Sequence, residues 1–534
     1  MNKEHLSITQ TGYFSKLICD YIAQEESLKP FYNNFSDLEG FKNQIAEKKL
    51  HFTVENRAVL GKALKTQYAS VEVSKSTQDH IKSLSSNNTF TVVTGHQLNL
   101  FTGPLYFLYK IVSAINLATQ LKAHFPENNF VPVYWMATED HDFEEINYFN
   151  FKGKKIKWNR DATGAVGRLT TKGLDEVLEV LSTTLGTSTK AKELRTLFKK
   201  AYVEHATLTA ATRYLANELF AEQGLVIIDG DDKVLKKQLV PFVKKDIFDH
   251  LSHKEVTSSI TGLCNIGNGY KIQVNPRDIN YFYVKDAIRE RIIEKKGFYH
   301  VNNTEVKFSK VALAKEIESN PECFSPNVIA RPLYQEVVLP NICYIGGGGE
   351  LSYWLELKAM FEEMAIPFPI LLLRNSVLLV TDKQTQKVQK MNLSLSDLFL
   401  KQSSFINKKI RQISNVDIDF TPQKKVLEAQ FNELYAIANE TDASFLGAVK
   451  AQETKQKNGL DHLEKRLLNA QKKKLRDHVT RMTDLQNQLF PNHSLQERSL
   501  NFSEVYLEYG SDLIPLLLKQ LDPLRLEFTV LTEL

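Results

Sequence analysis

The chain is 534 residues long, with 43% hydrophobic and 24% charged side chains and a formal net charge of +4. A chain of this size and make-up holds two or more structural units around a large core, and so weak a positive balance gives no grounds for a nucleic-acid partner, although the C-terminal third is locally basic. Four scattered cysteines, Cys19, Cys264, Cys323 and Cys343, form no CxxC pair, which argues against a zinc site or a disulfide framework and for a reducing compartment. No signal peptide follows Met1 and no uncharged apolar run can span a bilayer, so the expectation is a cytoplasmic protein with no membrane partner.

To about Ala69 the pattern is helical. Phe14, Leu17, Ile18 and Ile22 recur at helical spacing, and Leu38, Phe41 and Ile45 do so after Ser36-Asp37, a capping candidate. Next, Phe90 to Val93 reads as a strand running into Gly95, and Gly103-Pro104 opens a long apolar helix, which together make a βα unit of a Rossmann-like sheet. In such sheets ligands bind beyond the carboxyl ends of the strands, where Thr94, Gly95, His96, Gln97 and Asn99 crowd one loop. The loop has neither a dinucleotide fingerprint nor a P-loop, and taken alone it also fits a plain polar turn.

Phe130 to Met136 is a near-continuous apolar run, as in a strand buried on both faces, and it ends in Glu139, Asp140, His141, Asp142, Glu144 and Glu145. Such a density of acid is self-repelling unless a cation, an amine or a metal shares the space. A helix start explains Glu144 and Glu145, which leaves Asp140 and His141 as the functional candidates. His96 and Asp140, at the ends of adjacent strands, are expected to share one crevice and to face solvent.

From Asn150 the lysine-rich, glycine-punctuated sequence reads as an insertion. The sheet resumes at Leu225 to Asp229, where Asp229 or Asp232 is a candidate for a hydroxyl or a metal, with a helix cap the alternative for Asp231 or Asp232. A second insertion contains strand-like runs at Tyr270 to Val274 and Tyr281 to Val284. Then Ile342 to Ile345 is a short strand carrying Tyr344, Gly346, Gly347, Gly348 and Gly349 form a backbone-only loop, and a helix starts at Glu350 and carries Tyr353. Four glycines ahead of a helix let N–H groups approach an oxyanion, although a tight turn alone needs one or two. Pro369 to Leu373 gives a last strand ending in Arg374, Asn375 and Ser376, whose guanidinium suits a carboxylate or a phosphate. Beyond it, Phe431, Leu434 and Ala438, and then Leu460 to Leu489, keep a three-four spacing. This predicts an antiparallel coiled-coil hairpin with its joint near Gln452 to Gly459 and with Leu467 and Leu485 in an apolar seam.

The fold class is therefore α/β. A Rossmann-like parallel sheet (1–149, 216–249, 326–384) carries insertions at 150–215 and 250–325 and is followed by a helical coiled-coil domain with a C-terminal return, 385–534. The runs TGHQLNLFTGPLYFLYK, VPVYWMATEDHDFEEIN, GLVIIDGDD, RPLYQEVVLPNICYIGGGGELSYWLELK, PILLLRNS and QERSLNF resemble the bacillithiol biosynthesis enzymes that add cysteine, the BshC family of cysteine ligases. That resemblance implies a Rossmann-like core with two connecting insertions, a coiled coil that pairs subunits as a homodimer, and the last step of bacillithiol synthesis. In that step the carboxyl of L-cysteine is joined to the amine of glucosaminyl malate. Activating a carboxylate in water calls for ATP or another nucleoside triphosphate as cosubstrate, and no tightly bound metal is expected. His96, Asp140 and His141 are the expected catalytic residues. Thr94, Gly95, Gln97, Asn99, Glu139, Asp229, Tyr344, Gly346, Gly347, Gly348, Glu350, Tyr353, Arg374 and Asn375 are expected to bind substrate, with Arg374 on malate. His96 and the Gly103-Pro104 helix start also distantly resemble class I aminoacyl-tRNA synthetases, whose HIGH and KMSKS signatures are missing. Two other readings of the same residues are a non-catalytic nucleotide-sugar binding or scaffold protein, and a glycosyltransferase-like enzyme with a metal on Asp140-His141-Asp142.

Overall fold

The structure, a computed structural model, describes residues 2–267, 269–285 and 288–532. It opens on a strand, β1 (Asn2–Ser7), where the sequence pattern indicates helix. The cause is tertiary, because β1 pairs with the far C-terminus of the chain. Helices then follow as expected, among them α1 (Leu38–His51), whose cap residue Asp37 accepts a hydrogen bond from the Gly40 N–H.

β2 (Thr89–His96) is buried along its whole length, and β3 (Asn129–Met136) at every residue but the first. Strands apolar on both faces need helices on both faces, and α2 (Tyr106–His124), which joins them, supplies part of that cover. The first insertion is a hairpin, β4 (Tyr148–Phe151) with β5 (Lys154–Lys157), followed by three helices that lead back to β6 (Val226–Asp229). α3 (Lys233–Asp249) is capped by Asp232, which accepts from the N–H groups of Val234 and Leu235, the helix-start role its position suggests.

In the second insertion a five-stranded antiparallel sheet forms from β7 (Tyr281–Lys285), β8 (Ile288–Lys295), β9 (Phe298–Val301), β10 (Lys307–Phe308) and β11 (Phe324–Pro326), in the order β10-β9-β8-β7-β11. The strand-like run at Tyr270 to Val274 is not one of these strands. Its donors are taken by a side chain instead: the N–H groups of Gln273 and Val274 bond the carboxylate of Glu356 at 2.8 and 3.3 Å.

α4 (Ala330–Val338) leads into β12 (Asn341–Gly346), α5 (Gly348–Leu355) and β13 (Ile370–Leu373). The core sheet runs β13-β12-β2-β3-β6, parallel throughout. The chain builds outward from β2 to β3 and β6, then returns to the other side of β2, so the topological switch lies between β2 and β12. After β13 it leaves this sheet: β14 (Ser376–Val380) pairs with β15 (Glu527–Thr532), which also carries β1. Arg374 and Asn375 therefore sit in the passage between two sheets rather than at an open edge.

α6 (Thr421–Asn439) and α7 (Ala443–Lys474) form the long hairpin, and α8 (Arg476–Leu489) returns to the body. The joint is at Glu440 to Asp442, where Asp442 caps α7, and not near Gln452 to Gly459, which lie inside the helix. The run from Leu460 also breaks at Leu475, between α7 and α8. No helix among the described residues is long and apolar enough to cross a membrane, and the four cysteines are free thiols.

Candidate active site

At the switch point, beyond the carboxyl ends of β2, β3 and β12, lies a cavity of about 300 Å³. β2 contributes Gly95 and His96, β3 Trp135, β12 Tyr344, α2 Tyr106 and Lys110, α5 Glu350 and Tyr353, and α4 Arg331; Gln97 closes one side. The expected site residues Gly95, His96, Gln97, Tyr344, Glu350 and Tyr353 thus come together.

Glu350 is the hub of its floor. One carboxylate oxygen takes Lys110 Nζ at 2.6 Å and the Gly347 N–H at 3.1 Å, and the other takes the Tyr344 hydroxyl at 2.7 Å. Burial raises the pKa of Glu350, but Lys110 and these hydrogen bonds outweigh it and the net shift is downward, so the group stays ionised. Lys110 Nζ also bonds the Gly95 carbonyl at 2.7 Å. Burial lowers its pKa, and Glu350 opposes the shift.

His96 is 8% exposed, not solvent-facing as expected. Its ring packs on Tyr106 and Phe107. Burial, helped by the charge of Lys110, pushes its pKa down to about 3, so at neutral pH it is an uncharged imidazole. Its Nε2 is buried with no hydrogen-bond partner among the described residues. The turn after β2 that holds it is strained, with positive φ at Phe101, Thr102 and Gly103. Asn501 Nδ2 clamps that turn through the carbonyls of Phe101 and Gly103 at 2.8 and 2.6 Å, and the Tyr202 hydroxyl accepts the Phe101 N–H at 2.9 Å.

Arg331 was not singled out from the sequence. Its guanidinium lies over Trp135 and Tyr344, 6.0 and 5.8 Å from the ring centroids. Nη1 donates to Gln335 at 3.2 Å, Tyr353 helps to hold its charge, and Nη2 is buried without a hydrogen-bond partner among the described residues. Gln335 in turn donates to Glu336, which is fully buried and paired with Lys48 at 3.2 Å. That buried relay fixes the direction of Arg331.

Asp140 and His141 line a second cavity of about 360 Å³, between the end of β3 and the sheet of the second insertion. The two cavities share Val328 as a wall residue, and Gln97 links them by donating to Asp140 at 2.8 Å. Burial raises the pKa of Asp140, but hydrogen bonds from His141 and Gln97 and the charge of Arg289 more than offset it and hold the carboxyl well below its usual range. Nδ1 of His141 accepts from Arg289 at 2.7 Å. Asp140, His141 and Asp142 offer ligand atoms within 4.8 Å of one another, but the Arg289 guanidinium already stands against them, and a metal ion there would meet its charge.

The remaining expected binding residues are engaged elsewhere. Thr94 donates to the Ile345 carbonyl inside the sheet at 2.8 Å. Asn99 donates to the Glu145 carbonyl at 3.2 Å, and Glu139 is paired with Lys236 at 2.6 Å. Asp229 accepts from Thr138 at 2.5 Å and lines a different cavity with Gln67 and Arg213. Gly346, Gly347 and Gly348 are not among the wall residues. A side chain on Gly346 would meet Tyr344, Glu350 and Leu351 within about 3.1 Å, so close packing accounts for that glycine, whereas one on Gly348 would make only ordinary contacts with Phe14 and Ile18. Asn375 bonds Ser113 at 2.9 Å and the Asp522 carbonyl at 2.8 Å.

Arg374 is the clearest revision. Its Nη2 bonds Glu497 at 2.7 Å, Nη1 bonds the Asn375 carbonyl and Ser376, and the two charged side chains are 5% and 0% exposed. Both terminal nitrogens are held inside the protein and only the buried Nε lacks a partner among the described residues, so the two-nitrogen fork expected for malate is not available. Two signals in the sequence pointed to the residues that were missed. Lys110 is the one charge in the apolar stretch from Tyr106 to Leu121, and Arg331 precedes a proline at a helix start.

The family profile described as "Bacillithiol biosynthesis BshC, N-terminal Rossmann-like domain" matches residues 1–375, and "Bacillithiol biosynthesis BshC, C-terminal coiled-coil domain" matches residues 377–533. A Flavobacterium johnsoniae protein named "Putative cysteine ligase BshC" is 56% identical over 100% of both chains. Proteins of the same name from Cytophaga hutchinsonii and Bacillus cytotoxicus are 38% and 27% identical, covering 97% of each chain in the first case and 94% of this chain and 95% of that one in the second. A solved structure titled "putative arginyl t-RNA synthetase", from Campylobacter jejuni, covers 83% of this chain and 97% of its own at 10% identity, but its TM-score of 0.22 is too low to carry an inference. By the two domain matches and these relatives, the chain belongs to the bacillithiol biosynthesis BshC family.

Proposed function

We propose that this protein is a ligase that joins the carboxyl of L-cysteine to the amine of glucosaminyl malate, with ATP or another nucleoside triphosphate as cosubstrate. The relatives' printed names support the cysteine-ligase class. Within the chain, one observation carries the reading: two buried hydrogen-bonding atoms beside the central cavity, Arg331 Nη2 and His96 Nε2, lack partners. Each unmade bond costs about 1–3 kcal/mol, which a bound carboxylate and its activated derivative recover.

In this scheme Arg331 holds the cysteine carboxylate while the nucleotide activates it as an acyl adenylate or acyl phosphate. The sugar amine then attacks the carbonyl carbon, loses a proton, and expels the nucleotide or phosphate. A histidine with a pKa near 3 is a poor base. His96 therefore orients the reacting group through a neutral hydrogen bond. Asp140, held ionised, suits an ammonium group awaiting deprotonation. Purified protein incubated with cysteine, ATP and glucosaminyl malate is expected to yield a thiol whose mass is the sum of cysteine and glucosaminyl malate less one water. No such product with any of the four common nucleoside triphosphates would refute the proposal.

The hairpin is proposed to pair two copies. Leu485 is 1% exposed within its own chain and is spent on its own core, whereas Leu467 is only partly buried there. The exposed apolar side chains near the hairpin tip are Leu434, Ile437, Phe445 and Leu446, at 40, 55, 44 and 38%. Ile437→Asp with Phe445→Asp is expected to give a monomer in sedimentation while the melting temperature holds, because both side chains face water within one subunit. A double variant that sediments as the wild type moves any interface elsewhere.

A further inference from the structure

The second cavity carries an assignment that Arg374 cannot. Its walls bring together three guanidinium groups, those of Arg277, Arg289 and Arg291. Arg289 Nε is buried without a hydrogen-bond partner, and the side chains of Arg277 and Arg291 make no ion pair or hydrogen bond with any described residue. Against these three positive charges stand Asp140 and Asp142, and Asp140 already takes donors from Gln97 and the His141 backbone. The cavity thus keeps an excess of cationic donors, which is the environment of a dianion.

Its position adds a second constraint. Val328 and the Gln97–Asp140 hydrogen bond join it to the central cavity, so one molecule can reach into both. We infer that this cavity is the subsite for the two malate carboxylates of the acceptor, with the arginines of the second insertion as its specificity-determining donors. The inference rests on the proposed function for the identity of the acceptor. It gives the insertion a task of its own: β8 and the segment before β7 deliver the charges that separate a malate-bearing sugar from a plain one.

The test is calorimetric binding to the full-length protein, using glucosaminyl malate, methyl glucosaminide and ATP as separate probes. Wild type is compared with a double variant, Arg277→Gln and Arg291→Gln, whose side chains are exposed and uninvolved in packing. Affinity for glucosaminyl malate is expected to fall on the order of tenfold or more, with methyl glucosaminide and ATP unchanged. Unchanged affinity for glucosaminyl malate in the variant overturns the subsite and leaves the ligase reading intact. Loss of ATP affinity in its place assigns the arginines to the nucleotide phosphates and equally overturns it. A wild type that does not bind glucosaminyl malate at all sinks the proposed function and the subsite with it.

Discussion

Arg331→Ala is expected to lower kcat/KM for amide formation by about 10²- to 10³-fold, the loss typical of removing one preorganised donor from a water-poor site. The fold should survive, because within the protein the Arg331 side chain is held by a hydrogen bond of 3.2 Å to Gln335, two ring contacts and its interaction with Tyr353, with no buried ion pair of its own. Arg331→Lys keeps the charge but not the planar fork, and it should recover part of the activity. If Arg331 meets the cysteine carboxylate, the KM for cysteine should rise in the lysine variant while that for glucosaminyl malate holds. Full activity in the alanine variant removes Arg331 from the site. A fall in activity that only tracks a fall in melting temperature would make it a packing residue.

The largest effect on stability is expected at Glu497. Its carboxylate takes Arg374 Nη2 at 2.7 Å, the Val377 N–H at 3.0 Å and the Ser376 hydroxyl at 3.2 Å, with no exposure to solvent. Alanine there strands a buried guanidinium, which costs about 3–5 kcal/mol. The neighbouring Gln496 bonds both the N–H and the carbonyl of Leu379, so this short segment docks on β14 much as a strand would. Glu497→Ala should therefore loosen the join between the core and the helical domain, seen as a lower unfolding midpoint in urea. Arg374→Lys should leave the KM for glucosaminyl malate unchanged. A midpoint equal to that of wild type, or a selective rise in that KM, would return Arg374 to the substrate.

Local pattern was legible wherever it decided structure. β2 and β3 are continuous apolar runs because both faces are covered, and a run of that kind is visible in one dimension. Asp37 and Asp232 cap helices, since a cap needs only its own next three residues. β1 and the Tyr270 to Val274 segment were misread for the opposite reason: their hydrogen-bond partners, β15 and Glu356, lie far away in sequence. The hairpin joint was misplaced because a glycine inside a helix reads like a break, whereas Asp442 performs the turn.

The candidate site divides in the same way. By itself the sequence determined the fold class, the family likeness and the loop that ends β2, because these reside in contiguous residues. Only the tertiary structure decided which charged side chains are free. Arg374 looked available at a strand end, but the chain changes sheets there and Glu497, 123 positions on, takes its Nη2. Arg331, Arg277, Arg289 and Arg291 looked ordinary, yet folding brings them to two adjoining cavities. Availability is a matter of which partners arrive in space, and sequence order does not carry that information.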